Sequence, residues 1–136
     1  MILKTAVFVI FLWIFSFSQD SAADVIEQKS LNGTFVVQLQ VKPDPPQMGI
    51  NNTAILKVFE RDSKVKVEGA LIEVTPWMTV HSHGSSKKTK IKEKGDGVYT
   101  IEDVYFTMEG EWDLIVKIAK NKQEDQVVFT FRNVKK

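Results

Sequence analysis

Trp112-Asp113-Leu114-Ile115-Val116-Lys117-Ile118 decides the fold class of this 136-residue chain. Trp112, Leu114, Val116 and Ile118 alternate with Asp113 and Lys117, the period of two expected when one face of a strand meets a core and the other meets water. The pattern repeats on both sides. Phe35, Val37, Leu39 and Val41 alternate with Gln38, Gln40 and Lys42, and Val127, Phe129 and Phe131 alternate with Thr130 and Arg132. No segment carries a convincing apolar stripe of helical period.

The alternation predicts strands at about 33–42, 53–60, 69–75, 87–93, 98–106, 111–119 and 126–133. Between them lie Pro43-Asp-Pro-Pro46, Arg61-Asp-Ser-Lys64, Gly95-Asp-Gly97, Glu109-Gly110 and Asn121-Lys-Gln-Glu-Asp125, all turn-forming sequences. Some seven short antiparallel strands imply an all-β, immunoglobulin-like sandwich of two sheets, without the Cys and Trp hallmarks of antibody domains. Loops of such a sandwich alternate between its two ends. The loops at 43–52, 76–86 and 107–110 then share one pole, and those at 61–68, 94–97 and 120–125 share the other.

The N-terminus reads differently. A short basic start at Met1–Lys4, an apolar run from Thr5 to Phe17 and the small residues Ser21-Ala22-Ala23 match a secretory signal peptide over residues 1–23. The apolar run is shorter than the roughly 20 residues a membrane span needs. Residues 24–32 are polar and mixed and read as a flexible leader, and 33–136 as one domain. The expected location is the periplasm or the extracellular space. The chain contains no cysteine, so an exported domain of this size must be held by apolar packing and not by disulfides. A formal net charge of +1 argues for neither nucleic acid nor an acidic ligand.

Both histidines fall in Thr75-Pro-Trp-Met-Thr-Val-His-Ser-His-Gly-Ser85, and Met78 precedes them. Met48, Met78, His81, His83 and Met108 all belong to loops of the first pole, where a rigid sandwich holds binding residues.

Here an ordered series of motifs becomes specific: Gly69-Ala70 opening a strand, Pro76-Trp77-Met78, His81-Ser82-His83-Gly84, Gly97-Val98-Tyr99, and Phe106-Thr-Met108-Glu-Gly110-Glu-Trp112. On these residues the chain resembles the YtkA-like domain family and its FixH-like relatives, over roughly residues 35–132. The resemblance implies an exported or membrane-tethered immunoglobulin-like module. FixH-like relatives are linked to assembly or copper supply of a haem-copper oxidase, whereas many YtkA-like members have no assigned activity. Thr79 and Glu109 stand where proline often follows the two methionines, and the cleaved leader leaves no retained anchor of the FixH-like kind.

Thioether sulfur with imidazole suits Cu(I), and imidazole with oxygen suits Cu(II). The expected copper ligands are Met78, His81, His83 and Met108. His81 and His83 face one way if the loop is extended there. Met48 is a weaker candidate, since its loop carries its own shaping prolines. The alternative is architectural: methionines that fill gaps at the end of the core, and histidines that bond the loop backbone. Two function classes remain open. One is a copper-binding module for storage, delivery or oxidase assembly; the other is a metal-free module that pairs with an envelope transporter or respiratory complex, with Trp77 as its anchor.

Catalysis has little support. Ser82 and Ser85 lie near histidine but lack a nucleophile elbow and an orienting carboxylate, and no phosphate cradle or dinucleotide motif is present. In Lys87-Lys-Thr-Lys-Ile-Lys-Glu-Lys94, an extended chain projects Lys88, Lys90, Lys92 and Lys94 from one face and Thr89 and Ile91 from the other. That is the pattern of a charged edge strand that resists aggregation. A docking surface for an anionic partner is the alternative.

Overall fold

The computed structural model describes residues 23–136, so the expected signal peptide, apart from Ala23, lies outside the described residues. Nine strands follow in chain order: β1 (Ile26–Lys29), β2 (Phe35–Lys42), β3 (Asn51–Glu60), β4 (Leu71–Met78), β5 (His83–Gly84), β6 (Lys90–Gly95), β7 (Val98–Tyr105), β8 (Gly110–Lys120) and β9 (Gln123–Val134). They form two antiparallel sheets, of order β1-β2-β3-β7-β6 and β5-β4-β8-β9. A single 3₁₀ turn, Thr79–His81, joins β4 to β5.

The period of two has the expected physical result. Along β8, Trp112, Leu114, Val116 and Ile118 are buried, and they meet Val37, Leu39, Leu56, Ile101 and Phe129 in one core between the sheets. Burying each such side chain stabilises the fold by about 1.5–3 kcal/mol before chain entropy is counted. The register between β8 and β9 sets Leu114 opposite Phe129 and Val116 opposite Val127, so both strands point their apolar sets inward.

All seven predicted strands are present, and the structure adds two short ones. The first corrects the reading of 24–32 as a flexible leader. Ile26–Lys29 pairs with β2 from Ile26↔Leu39 to Lys29↔Val36, and Ile26 packs against the core. Beyond it, Asp125 binds Asn32 and Thr34. Four residues with one inward apolar side chain have too little periodicity to announce a strand; their partners are supplied by distant parts of the chain.

The second, β5, changes the account of the histidine segment. β4 runs to Met78, three residues beyond its expected end, because it pairs with β8 through Trp77↔Asp113 and with β5 through Trp77↔Gly84 and Met78↔His83. Pro76 is tolerated inside β4 because β5 covers so little of its outer edge. The lysine-rich segment behaves as expected of an edge: β6 ends its sheet, with Lys90 and Lys92 paired to Asp103 and Glu102 of β7. Among the described residues no helix is long and apolar enough to cross a membrane.

Candidate functional site

The pole that carries the methionines and histidines is assembled by three connections. Met48 forms a parallel bridge to Phe106, and the Gly49 N–H donates to the Phe106 carbonyl at 3.0 Å, so the 43–52 loop lies against the end of β7. His83 reaches the 107–110 turn from β5. Its Nε2 lies 3.1 Å from the Sδ of Met108, and its Nδ1 lies 3.1 Å from the Gly84 carbonyl. The expected approach of the loops is therefore present.

Trp112 is the floor of this site. Its ring is fully buried, meets His83 edge-on at 5.6 Å between centroids and meets Phe106 at 5.3 Å. Its indole Nε1–H donates to the Met108 carbonyl at 2.9 Å. One side chain thus fixes the backbone that carries the sulfur and supports the ring that faces it. The sequence marks Trp112 as a core strand residue. Its place four residues after Met108 is the signal for the second role, legible only once the turn is known to fold back over the indole.

Met78 is buried, at 2% exposure, and is directly opposite His83 in the β4–β5 pair. Opposed residues share one face of a sheet with Cβ atoms about 5 Å apart. Its methyl group packs against the backbone of Gly110, where an added Cβ would lie 3.0 Å from Met78 Cε. Gly110 has φ of +129°, in the region that favours glycine, and the β8–β9 register shifts between Gly110 and Trp112. Glycine here is what lets Met78 pack against the strand that follows Met108.

His81 is placed otherwise than expected. The chain from His81 to His83 is not extended: His81 ends the 3₁₀ turn and Ser82 is left-handed, with φ of 51°. The ring nevertheless stacks on that of His83, with centroids 6.0 Å apart and planes 17° from parallel. His81 is exposed and Met108 is 37% exposed, so the outer side of the pair faces water. Behind the turn, Asp113 accepts from the Thr79 hydroxyl at 2.9 Å and from the Thr130 hydroxyl at 2.7 Å, tying the turn to β8 and β9. Met48 sits against the core beside Phe106.

Met78, His83 and Met108 therefore converge around Trp112, with His81 stacked outside. Among the described residues no group of three or more His, Asp or Glu side chains is arranged to hold an ion. The donors gathered here are soft, and a hard cation such as Ca²⁺ or Mg²⁺ wants a set of oxygens.

The fold and this apex define a class: a two-sheet antiparallel β-sandwich with a thioether and imidazole pair at one pole. The chain belongs to the YtkA-like family, whose profile matches residues 30–117. Solved structures that share the fold include two. One is a DUF4426 family protein from Pseudomonas aeruginosa, with a TM-score of 0.54 at 10% identity, covering 81% of this chain and 94% of that one. The other is a copper-bound variant of FetP from uropathogenic Escherichia coli strain F11, with a TM-score of 0.50 at 7% identity, covering 83% of this chain and 95% of that one. Comparison with curated proteins finds no match.

Proposed function

We propose that this chain is an exported copper-binding module that takes Cu(I) at His83 and Met108, with Met78 behind them and His81 on the solvent side. In this reading the module stores the ion or passes it to an envelope partner, including a respiratory oxidase under assembly. It performs no catalysis.

The observation that carries the reading is the contact between His83 Nε2 and Met108 Sδ at 3.1 Å. Bonds of about 2.0 Å to nitrogen and 2.3 Å to sulfur hold the two donors roughly 3.5 Å apart around a tetrahedral ion. A shift of a few tenths of an ångström, by a partly exposed methionine, would open that space. The Nδ1 contact with the Gly84 carbonyl orients the ring so that Nε2 is the free donor, the usual device behind a histidine ligand. The copper-bound state of FetP, a protein of the same fold, adds support.

The test is a titration of residues 24–136, which contain both sheets and the whole described core, with Cu(I) under anaerobic conditions against a competing chelator. Stoichiometric binding that resists the chelator is expected. Weak binding that the chelator removes would overturn the reading and favour a metal-free interaction module. That second reading draws on Val80, 77% exposed in the turn beside the site. Trp77, its expected anchor, is instead half-buried against Gly84.

A further inference from the structure

The two sheets leave an open groove on the side of the sandwich where β4 and β6 run, with a volume of about 580 Å³. Its floor is apolar, built from Ile72, Val74, Pro76 and Ile91, and one wall is the 85–89 connection with Lys87 and Lys88. Among the described residues both bordering strands have free edges. β6 is the last strand of its sheet, and β5 covers β4 only at Trp77 and Met78.

The backbone of β4 offers bonds into this groove. The Thr89 hydroxyl donates to the Val74 carbonyl at 2.7 Å, so the main-chain groups of Val74 point away from β8. Strand alternation points those of Ile72 the same way. The Val74 N–H and both main-chain groups of Ile72 therefore face the groove, and among the described residues no strand pairs with them there. An extended segment laid along β4 would find two donors and an acceptor, the recognition mode in which main-chain bonds give affinity and side-chain pockets give selectivity.

The charges choose the occupant. Ion pairs among the described residues engage Lys90 with Asp103 and Lys92 with Glu102, but leave Lys87 and Lys88 without a carboxylate. The Lys87 ammonium donates to Asn51 Oδ1 at 2.7 Å and lies 4.7 Å over the Tyr105 ring, partners that hold it in place without neutralising it. Glu73, on β4, also lines the groove. The two ammoniums attract carboxylates to the 85–89 connection and repel basic side chains from it, whereas Glu73 keeps carboxylates away from β4 itself.

We propose that the β4 edge is a docking site for an extended, acidic peptide segment of a partner protein. The segment adds to β4 at Ile72 and Val74, sets alternate apolar side chains on the groove floor, and directs a carboxylate to Lys87 and Lys88. Aggregation resistance explains the paired lysines of β6, but not an apolar groove bordered by unpaired main-chain groups and two unneutralised ammoniums. The proposal does not rest on copper binding.

The experiment is to pan a displayed library of random peptides, about ten residues long to match a strand, on residues 24–136. Recovered peptides should carry Asp or Glu among alternating apolar residues, and should shift the backbone amide signals of residues 71–75 and 87–89. N-methylation of the peptide amides that face β4 should abolish binding, whereas methylation of the outward amides should not. Lys87→Glu with Lys88→Glu should lower affinity about tenfold. Recovery of no peptide, recovery of basic peptides, signals that move at β1, β9 or the His83 pole, or indifference to methylation would each overturn the proposal.

Discussion

The two poles of this sandwich are held together by different chemistry. At the pole opposite the histidines, the buried carboxylate of Asp125 accepts from the backbone N–H groups of Asn32, Thr34 and Gln126 at 2.9–3.2 Å. Tyr99 acts similarly, its hydroxyl donating to the Val67 carbonyl and accepting from the Ala70 N–H. Burial pushes that phenol above its usual pKa. At the histidine pole, buried Asn52 closes the 43–52 loop in the same way, accepting from the Gln47 N–H and donating to the Gln47, Ile50 and Val104 carbonyls, but among the described residues the His83 and Met108 cluster has no such hub. There a thioether, an imidazole and an indole touch through soft and aromatic contacts, and the polar anchor, Asp113, stands behind the turn. Fully bonded polar groups make a loop rigid and leave it no capacity for a ligand. Donors with unused lone pairs at a partly exposed apex keep that capacity, at the expense of local stability.

Substitutions at the two ends should therefore fail in different assays. The largest effect is expected for His83→Ala, which should lower Cu(I) affinity about 100-fold while costing no more than about 1 kcal/mol of stability for the lost edge-on contact with Trp112. Unchanged chelator competition in this variant would place the copper elsewhere. Asp125→Asn should do the reverse, losing about 2 kcal/mol of stability in denaturant titrations and leaving copper affinity intact.

The Asp125 effect carries its own pH signature. Burial raises the carboxyl, but hydrogen bonding by Ser30, Gln126, Asn32 and Thr34 outweighs it and holds the group at about 2. Its unfolded value is about 3.9, so its contribution is complete above that pH and disappears as the pH falls toward 2. Unfolding curves of the parent and Asp125→Asn should converge over that window. A gap that persists at the acid end would mean that the loss comes from packing and not from charge.

Within the copper pole the effects should be graded. Met108→Leu keeps the apolar contact with the apex and removes the sulfur, and should weaken Cu(I) about tenfold. His81→Ala should cost no more than about threefold, since an exposed ring stacked on His83 has its donor fixed by no hydrogen bond. A loss at His81 equal to that at His83 would show that the turn rearranges around the ion, and would restore the two histidines as equal partners.

Most of the architecture was readable from alternation alone. Seven strands, the charged edge at β6 and the common pole of Met48, Met78, His81, His83 and Met108 follow from periodicity and turn chemistry. What periodicity missed was short or remote. β1 and β5 have four and two residues, and their pairing depends on residues elsewhere in the chain. The extended path expected at His81–His83 failed for a local reason: β4 runs on to Met78, so the chain must reverse within Thr79–Ser82 to enter β5. Ser82 takes the left-handed conformation to do so.

The sequence by itself determined a sandwich whose core is apolar packing without disulfides, and it placed the soft donors in loops of one end. Side-chain period and turn residues are local properties, and those conclusions needed nothing more. Only the tertiary structure decided which donors meet. It turned Met78 from a loop residue into a buried strand end opposite His83, folded Met108 back through the Trp112 indole, and left His81 on the outside. Those choices depend on contacts between β4, β5 and β8, which lie up to several tens of residues apart along the chain and become neighbours only when the two sheets close on their shared core.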